Sequence, residues 1–129
     1  ENNVKPSEGL EELIMSAKAK GMGIALASSS TRILVDDSLR LLGIAEQFDV
    51  TVSGDEIPKK KPAPDVYLKV LELTGVQAED AVAVEDSRAG IEAARAAGIF
   101  CYGYDNPTSG VQDISKADQQ IKSIREMKV

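Results

Sequence analysis

Histidine is absent from the 129 residues, and that gap alone removes whole classes of chemistry. No Ser-His-Asp or Cys-His relay can be assembled, and no His-ligated zinc site. Cysteine occurs once, as Cys101, so an intramolecular disulfide and a thiolate cluster are both impossible, and a cytoplasmic location is expected. Apolar runs are short. Ala81-Val82-Ala83-Val84 falls far below the ~20 residues a membrane span needs. Positive charge is scarce too: the formal charge is −6 and Lys59-Lys60-Lys61 is the only basic run. Nucleic acid and membrane are therefore not expected as partners. The sequence opens Glu1-Asn2-Asn3 with no initiator Met and no basic, apolar leader. The expectation is a processed product or a fragment, with no secretory signal.

What remains is an ordinary globular composition, 43% hydrophobic and 28% charged, long enough for one domain or a large piece of one. With neither histidine nor a thiolate cluster, a bound metal must be held by oxygen, which points to Mg²⁺ or a similar hard cation. Proton transfer falls to Asp, Glu, Lys or Tyr.

Helix and strand patterns alternate. Leu10, Leu13, Ile14 and Ala17 predict an amphipathic helix over roughly Glu8–Lys20, ended by Gly21. Gly23-Ile24-Ala25-Leu26-Ala27 predicts a strand buried on both faces. Ser30 can cap a second helix whose Val35, Leu39 and Leu42 share a face before Gly43. Val50–Val52 reads as a strand. Pro64 suits the first position of a helix lined by Tyr67, Val70, Leu71 and Thr74 and closed by Gly75. Ala81–Val84 and Ile99–Tyr104 read as strands around a helix over Ser87–Ala97, and Asp118–Ile124 as a short edge strand. Gly90, Ala93, Ala94 and Ala97 form a small-residue stripe that lets this helix lie close to a sheet. Strands spaced by single helices predict a doubly wound parallel α/β sheet. Its ligands bind beyond the carboxyl ends of the strands.

Three of those ends are polar. Ala27-Ser28-Ser29-Ser30-Thr31 opens a helix with four hydroxyls, either an anion site at the helix N-terminus or merely a cap. In Lys59-Lys60-Lys61-Pro62-Ala63-Pro64, Lys59 and Lys60 read as solvated. Lys61 is followed by two prolines that stiffen the turn and can aim its ammonium at a phosphate or a neighbouring carboxylate. Val84-Glu85-Asp86-Ser87 places adjacent carboxylates at the end of a buried strand, where they either share a cation or serve as a cap and a solvated side chain. Asp36-Asp37 lies mid-helix and reads as surface.

In this order, with Lys61 33 residues beyond Ser28 and Asp86 25 residues beyond Lys61, the three segments resemble the haloacid dehalogenase superfamily. The subgroup is that of phosphatases and phosphomutases close to β-phosphoglucomutase. The matching segments are Ile24–Ser30, Lys61–Tyr67 and Val84–Ile91, with Ala93-Ala94, Ala96-Ala97 and Gly98. The resemblance implies that Ser28, helped by the Ser29 backbone N–H, binds the transferring phosphoryl group. Lys61 neutralises that group and orients the nucleophile, and Glu85 and Asp86 position Mg²⁺, with Asp86 the first choice as direct ligand.

The family's first motif, Asp-x-Asp, occurs nowhere in the sequence. Its first Asp forms an aspartyl-phosphate and its second is the general acid/base. The helical cap is missing as well. Residues 1–129 are thus expected to be the C-terminal part of such a core, with 1–7 a linker from the missing cap, and to be inactive alone. The absent first strand belongs between the strands ending at Ser28 and Glu85. Without it, two apolar edges face a slot roughly 10 Å wide, to be filled by the N-terminal segment of the same enzyme or by another chain. The function implied is a Mg²⁺-dependent phosphatase or phosphomutase acting on a small phosphorylated metabolite, first of all a sugar phosphate. The alternative is a non-catalytic α/β module that binds phosphate or a protein and has dispensed with the nucleophile.

Overall fold

The computed structural model describes residues 10–105 and 113–122. Helix α1 (Leu10–Ala19) buries Ile14 and Ala17 and ends at Gly21, whose φ of 77° needs a residue without a Cβ. Strand β1 (Ala25–Ala27) leads through the hydroxyl loop into α2 (Arg32–Leu42), which turns Val35 and Leu39 inward. Strand β2 (Val50–Val52) is followed by a 3₁₀ turn over Gly54–Glu56 and by α3 (Asp65–Thr74). Then come β3 (Val82–Glu85), α4 (Arg88–Ala96), β4 (Phe100–Tyr104) and β5 (Gln119–Ile121). Among the described residues no helix is long and apolar enough to cross a membrane.

The strands are parallel but fall into two sheets, β1–β2 and β3–β4–β5. Strand β1 pairs on one side with β2, and β3 on one side with β4, so each keeps one edge without a strand partner among the described residues. Helix α3 spans the break. Its Val66 and Tyr67 are buried in one core with Val52 of β2, Ala83 of β3, Cys101 of β4 and Ile91, Ala93 and Ala94 of α4. The small-residue stripe of α4 does pack as expected: Gly90, Ala93, Ala94 and Ala97 are all buried.

Several expectations need correction. Strand β1 is not covered on both faces, because Ala25 is exposed and the strand lies at the edge of a two-stranded sheet. It also begins two residues later than predicted, since Ile24 N–H donates to the Asp49 carboxylate at 2.8 Å instead of to a strand. The side-chain cap of α2 is Thr31, which accepts from Leu34 N–H, while Ser30 N–H turns back to Ser28 Oγ. Pro64 stands at the cap of α3, one position before the helix, and Thr74 is exposed. Strand β5 stops at Ile121. Glu8 and Gly9, the expected linker 1–7, and Ser123 and Ile124 lie outside the described residues.

Cys101 lies at the centre of this core with no exposed surface. Burial, reinforced by the nearby Glu85 and Asp118 carboxylates, pushes its thiol up from 9.0 to about 12. The raised value sets the sign of a pH effect. Below pH 9 the thiol is protonated folded or unfolded; above it the unfolded chain sheds the proton and the folded chain does not, so stability falls as pH rises toward 12. Urea midpoints at pH 8 and 10.5 should therefore separate more in the parent protein than in Cys101→Ala. Equal separations would contradict the buried thiol.

Candidate active site

The carboxyl ends of β1, β2 and β3 are joined by a few specific contacts. At the end of β1, Ser28 N–H donates to Val52 O of β2 at 2.9 Å. Backbone groups alternate sides along a strand, so the Ala27 carbonyl points the other way, toward the open edge. There it accepts from Lys61 Nζ at 3.1 Å. The same ammonium meets Glu85 Oε2, the end of β3, at 2.6 Å, and the two side chains are only 12% and 9% exposed. Lys61 thus bolts one sheet to the other, in line with its expected aim at a neighbouring carboxylate. An ammonium has three donors. The two acceptors named leave the third available to a ligand.

Sequence reasoning placed Tyr67 in the apolar stripe of α3 and missed its polar end. Its hydroxyl donates to Glu85 Oε2, the oxygen that also holds Lys61, and Lys61 Nζ stands 5.5 Å from the ring centroid. Burial first, then the adjacent Glu85 charge, raises the hydroxyl's pKa above its ordinary value, so it stays a donor. Helix α4 approaches so closely that a Cβ built on Gly90 would overlap the Glu85 carboxylate. Ser87 caps that helix, its Oγ accepting from Gly90 N–H at 3.1 Å. Asp86 lies between the end of β3 and this cap, partly buried.

The hydroxyl loop is fixed from the side of β2. Gly54 N–H donates to Ser30 O at 2.7 Å, and Ser28 Oγ accepts from Ser30 N–H at 3.0 Å. Among the described residues the Ser29 N–H has no partner. The first amide of α2 is already taken: Arg32 N–H donates to both Asp55 carboxylate oxygens, at 3.1 and 3.2 Å. The first amide of this helix is thus not among the donors open to the anion that the sequence allowed here as an alternative to a simple cap. The Arg32 guanidinium reaches Thr51 O at 2.8 Å and Glu56 Oε1 at 2.6 Å, tying α2 to β2 and its turn. Arg32 holds the Glu56 carboxyl below its ordinary range, and Ser53, followed by the Arg32 amide, does the same for Asp55. Sequence reasoning passed over this network, although Ser53-x-x-Glu56 is the pattern of a capping box and forms one here. Lys59 and Lys60 are exposed, and Asp36 and Asp37 are surface residues paired with Arg32 and Arg40.

For a metal, the donor set is oxygen only. Among the described residues no three or more His, Cys, Asp or Glu side chains cluster to hold an ion. Of the adjacent pair, Glu85 Oε2 is engaged by Lys61 and Tyr67, while Asp86 at the strand end offers the oxygen chemistry that a hard cation takes.

The family model for haloacid dehalogenase-like hydrolases matches residues 1–104. Protein CbbY of Rhodobacter capsulatus is 40% identical over 119 residues, which cover 90% of this chain and 52% of that protein. A phosphorylated carbohydrates phosphatase of Thermotoga maritima is 41% identical over 96 residues, covering 74% of this chain and 44% of that one. Among solved structures, CbbY from Rhodobacter sphaeroides in complex with phosphate superposes with a TM-score of 0.88 at 33% identity, over 95% of this chain and 56% of the other. The β-phosphoglucomutase of Clostridium difficile gives 0.83 at 27% identity, over 95% and 52%. The chain spans about half the length of the curated relatives it matches. Through most of its sequence and the path of its backbone, the chain belongs to the haloacid dehalogenase-like hydrolase family.

Proposed function

We propose that this chain is the C-terminal part of a phosphatase, or of a phosphomutase, acting on a small phosphorylated metabolite, with a sugar phosphate the first candidate. The observation that carries the proposal is the partly buried Lys61 ammonium held between Ala27 O and Glu85 at the ends of two strands, with one donor uncommitted among the described residues, beside the hydroxyl loop. Phosphoryl transfer needs little more from a protein than positioning and charge neutralisation. In this reading Ser28 and the Ser29 N–H receive two oxygens of the phosphoryl group, and Lys61 neutralises a third. The nucleophile is an Asp outside these residues. Its carboxylate oxygen bonds to phosphorus as the ester P–O bond breaks, the leaving oxygen taking a proton from a second Asp. Water then cleaves the aspartyl-phosphate, releasing inorganic phosphate, or a sugar hydroxyl accepts the group instead.

Asp86, with Glu85 beside it, is the proposed holder of Mg²⁺. When bound, the ion would supply positive charge to offset that of the phosphoryl group. The phosphorylated-carbohydrate specificity named for one relative and the phosphate bound in another's structure support the substrate class.

The strand carrying Asp-x-Asp is assigned to the gap between β1 and β3, whether it belongs to the same polypeptide or to a second one. The two facing edges without strand partners support that assignment. The test is an assay of sugar phosphate hydrolysis with residues 1–129 alone, with the Asp-x-Asp segment added, and with EDTA. The expected result is activity only for the assembled protein with Mg²⁺. Turnover by residues 1–129 alone would refute the role of the missing nucleophile, and an inert assembly would favour a phosphate-binding module.

A further inference from the structure

We propose that Tyr67 is a positioning residue for the Lys61 ammonium, acting through Glu85. The proposal rests on the phosphatase reading above and adds to it a residue that meets the Lys61–Glu85 pair from helix α3. Tyr67 is buried in the first turn of α3, 7% exposed, among side chains from both sheets. Its hydroxyl and the Lys61 ammonium converge on the single oxygen Glu85 Oε2, and its ring lies under that ammonium, with 5.5 Å from Nζ to the centroid.

The geometry divides the work. Lysine is a point charge on a flexible four-carbon stem and does not aim itself. Here Ala27 O and Glu85 Oε2 each accept a hydrogen bond from it, and the Tyr67 ring, 5.5 Å from Nζ to its centroid, adds a cation–π contact to the same charge. Glu85 can serve as such an anchor only if it is itself fixed. Gly90 leaves room for its carboxylate, and the Tyr67 hydroxyl supplies a neutral donor that locks the oxygen in place. Because the phenol brings no charge, Lys61 remains the cation seen by a phosphoryl group. A second cation there would strengthen the hold on Glu85 and compete for the substrate. A bare phenyl ring would keep the packing and leave Glu85 free to swing, carrying Lys61 with it.

The experiment compares Tyr67→Phe, Tyr67→Leu and Lys61→Met in the assembled enzyme, with rates expressed per folded molecule. Tyr67→Phe should lower kcat about tenfold, as supporting residues of active sites typically do. KM should stay within about twofold, because the misplaced interaction matters most in the transition state. Tyr67→Leu, which loses ring and hydroxyl, should fall further. Parental kcat per folded Tyr67→Phe molecule, with only the folded fraction reduced, would make the hydroxyl structural and overturn the proposal. The Lys61 variant and the parent together separate the two readings. If Lys61→Met keeps full activity, Lys61 has no part in the chemistry and Tyr67 has nothing to position, whereas a parent assembly that turns over no sugar phosphate would overturn the phosphatase reading instead. If Lys61→Met collapses while Tyr67→Phe is parental, the Tyr67 proposal alone falls.

Discussion

Lys61→Met is expected to reduce turnover of the assembled enzyme by about 10³-fold or more, the scale on which single charge-stabilising groups act in acyl and phosphoryl transfer. Methionine keeps the length and apolar body of the side chain, so the loss reports the charge. The same change should also weaken the fold. The Glu85 side chain is 9% exposed, and removing the cation leaves a largely covered carboxylate whose remaining named partner is the Tyr67 hydroxyl. Breaking a buried pair from one side typically costs about 3–5 kcal/mol. Adding Glu85→Gln to Lys61→Met removes the stranded charge and should recover much of the stability with none of the turnover. That pattern separates catalysis from folding. Turnover of Lys61→Met within about tenfold of the parent would remove Lys61 from the chemistry.

Gly54→Ala is expected to be the most damaging glycine-to-alanine change among the described residues. A Cβ at Gly54 would overlap the Ser29 carbonyl, which is backbone and cannot rotate away as a flexible side chain does. The two segments meet because Gly54 N–H donates to Ser30 O at 2.7 Å; a methyl group must either break that bond or push the hydroxyl loop outward. Forced overpacking of this kind costs about 3 kcal/mol at the upper end of the usual range. That corresponds to a fall in Tm of roughly 10 °C for a domain of this size. Calorimetry on the assembled protein checks it, and a variant melting within about 2 °C of the parent would show that the loop has room to move. Because the displaced loop holds Ser28 and the Ser29 N–H, affinity for inorganic phosphate should fall together with stability.

The parts of this site carried by short-range signals were legible in the sequence. Ser28 and the Glu85-Asp86 pair each follow a strand-like apolar run, and Lys61 is followed by a rigid proline turn. A parallel sheet collects such positions at one end whatever the details of packing. The α/β alternation and the small-residue face of α4 were legible for the same reason, since period and residue size are local. What escaped depended on partners about 20 residues away. Tyr67 fits the apolar face of α3, and nothing in its neighbourhood along the chain announces Glu85, 18 positions later. Arg32 likewise pairs with Glu56 across 24 positions. The exposure of Ala25 escaped because an alternating or continuous apolar run shows that a strand has the makings of a buried one, not whether neighbours arrive to cover it.

The break between the sheets has a mechanical consequence. A continuous ladder fixes the spacing of its strands by backbone pairing, and residues at neighbouring strand tips inherit that spacing. Here the ladder stops at β1 and resumes at β3. The separation of the Ser28 tip from the Glu85 tip is governed instead by the girth of α3 and the reach of a lysine stem. Any polypeptide that wedges into the seam therefore gauges the distance between the hydroxyl loop and the acidic tip. A thicker or thinner insert resets that distance while leaving every residue at the two tips unchanged.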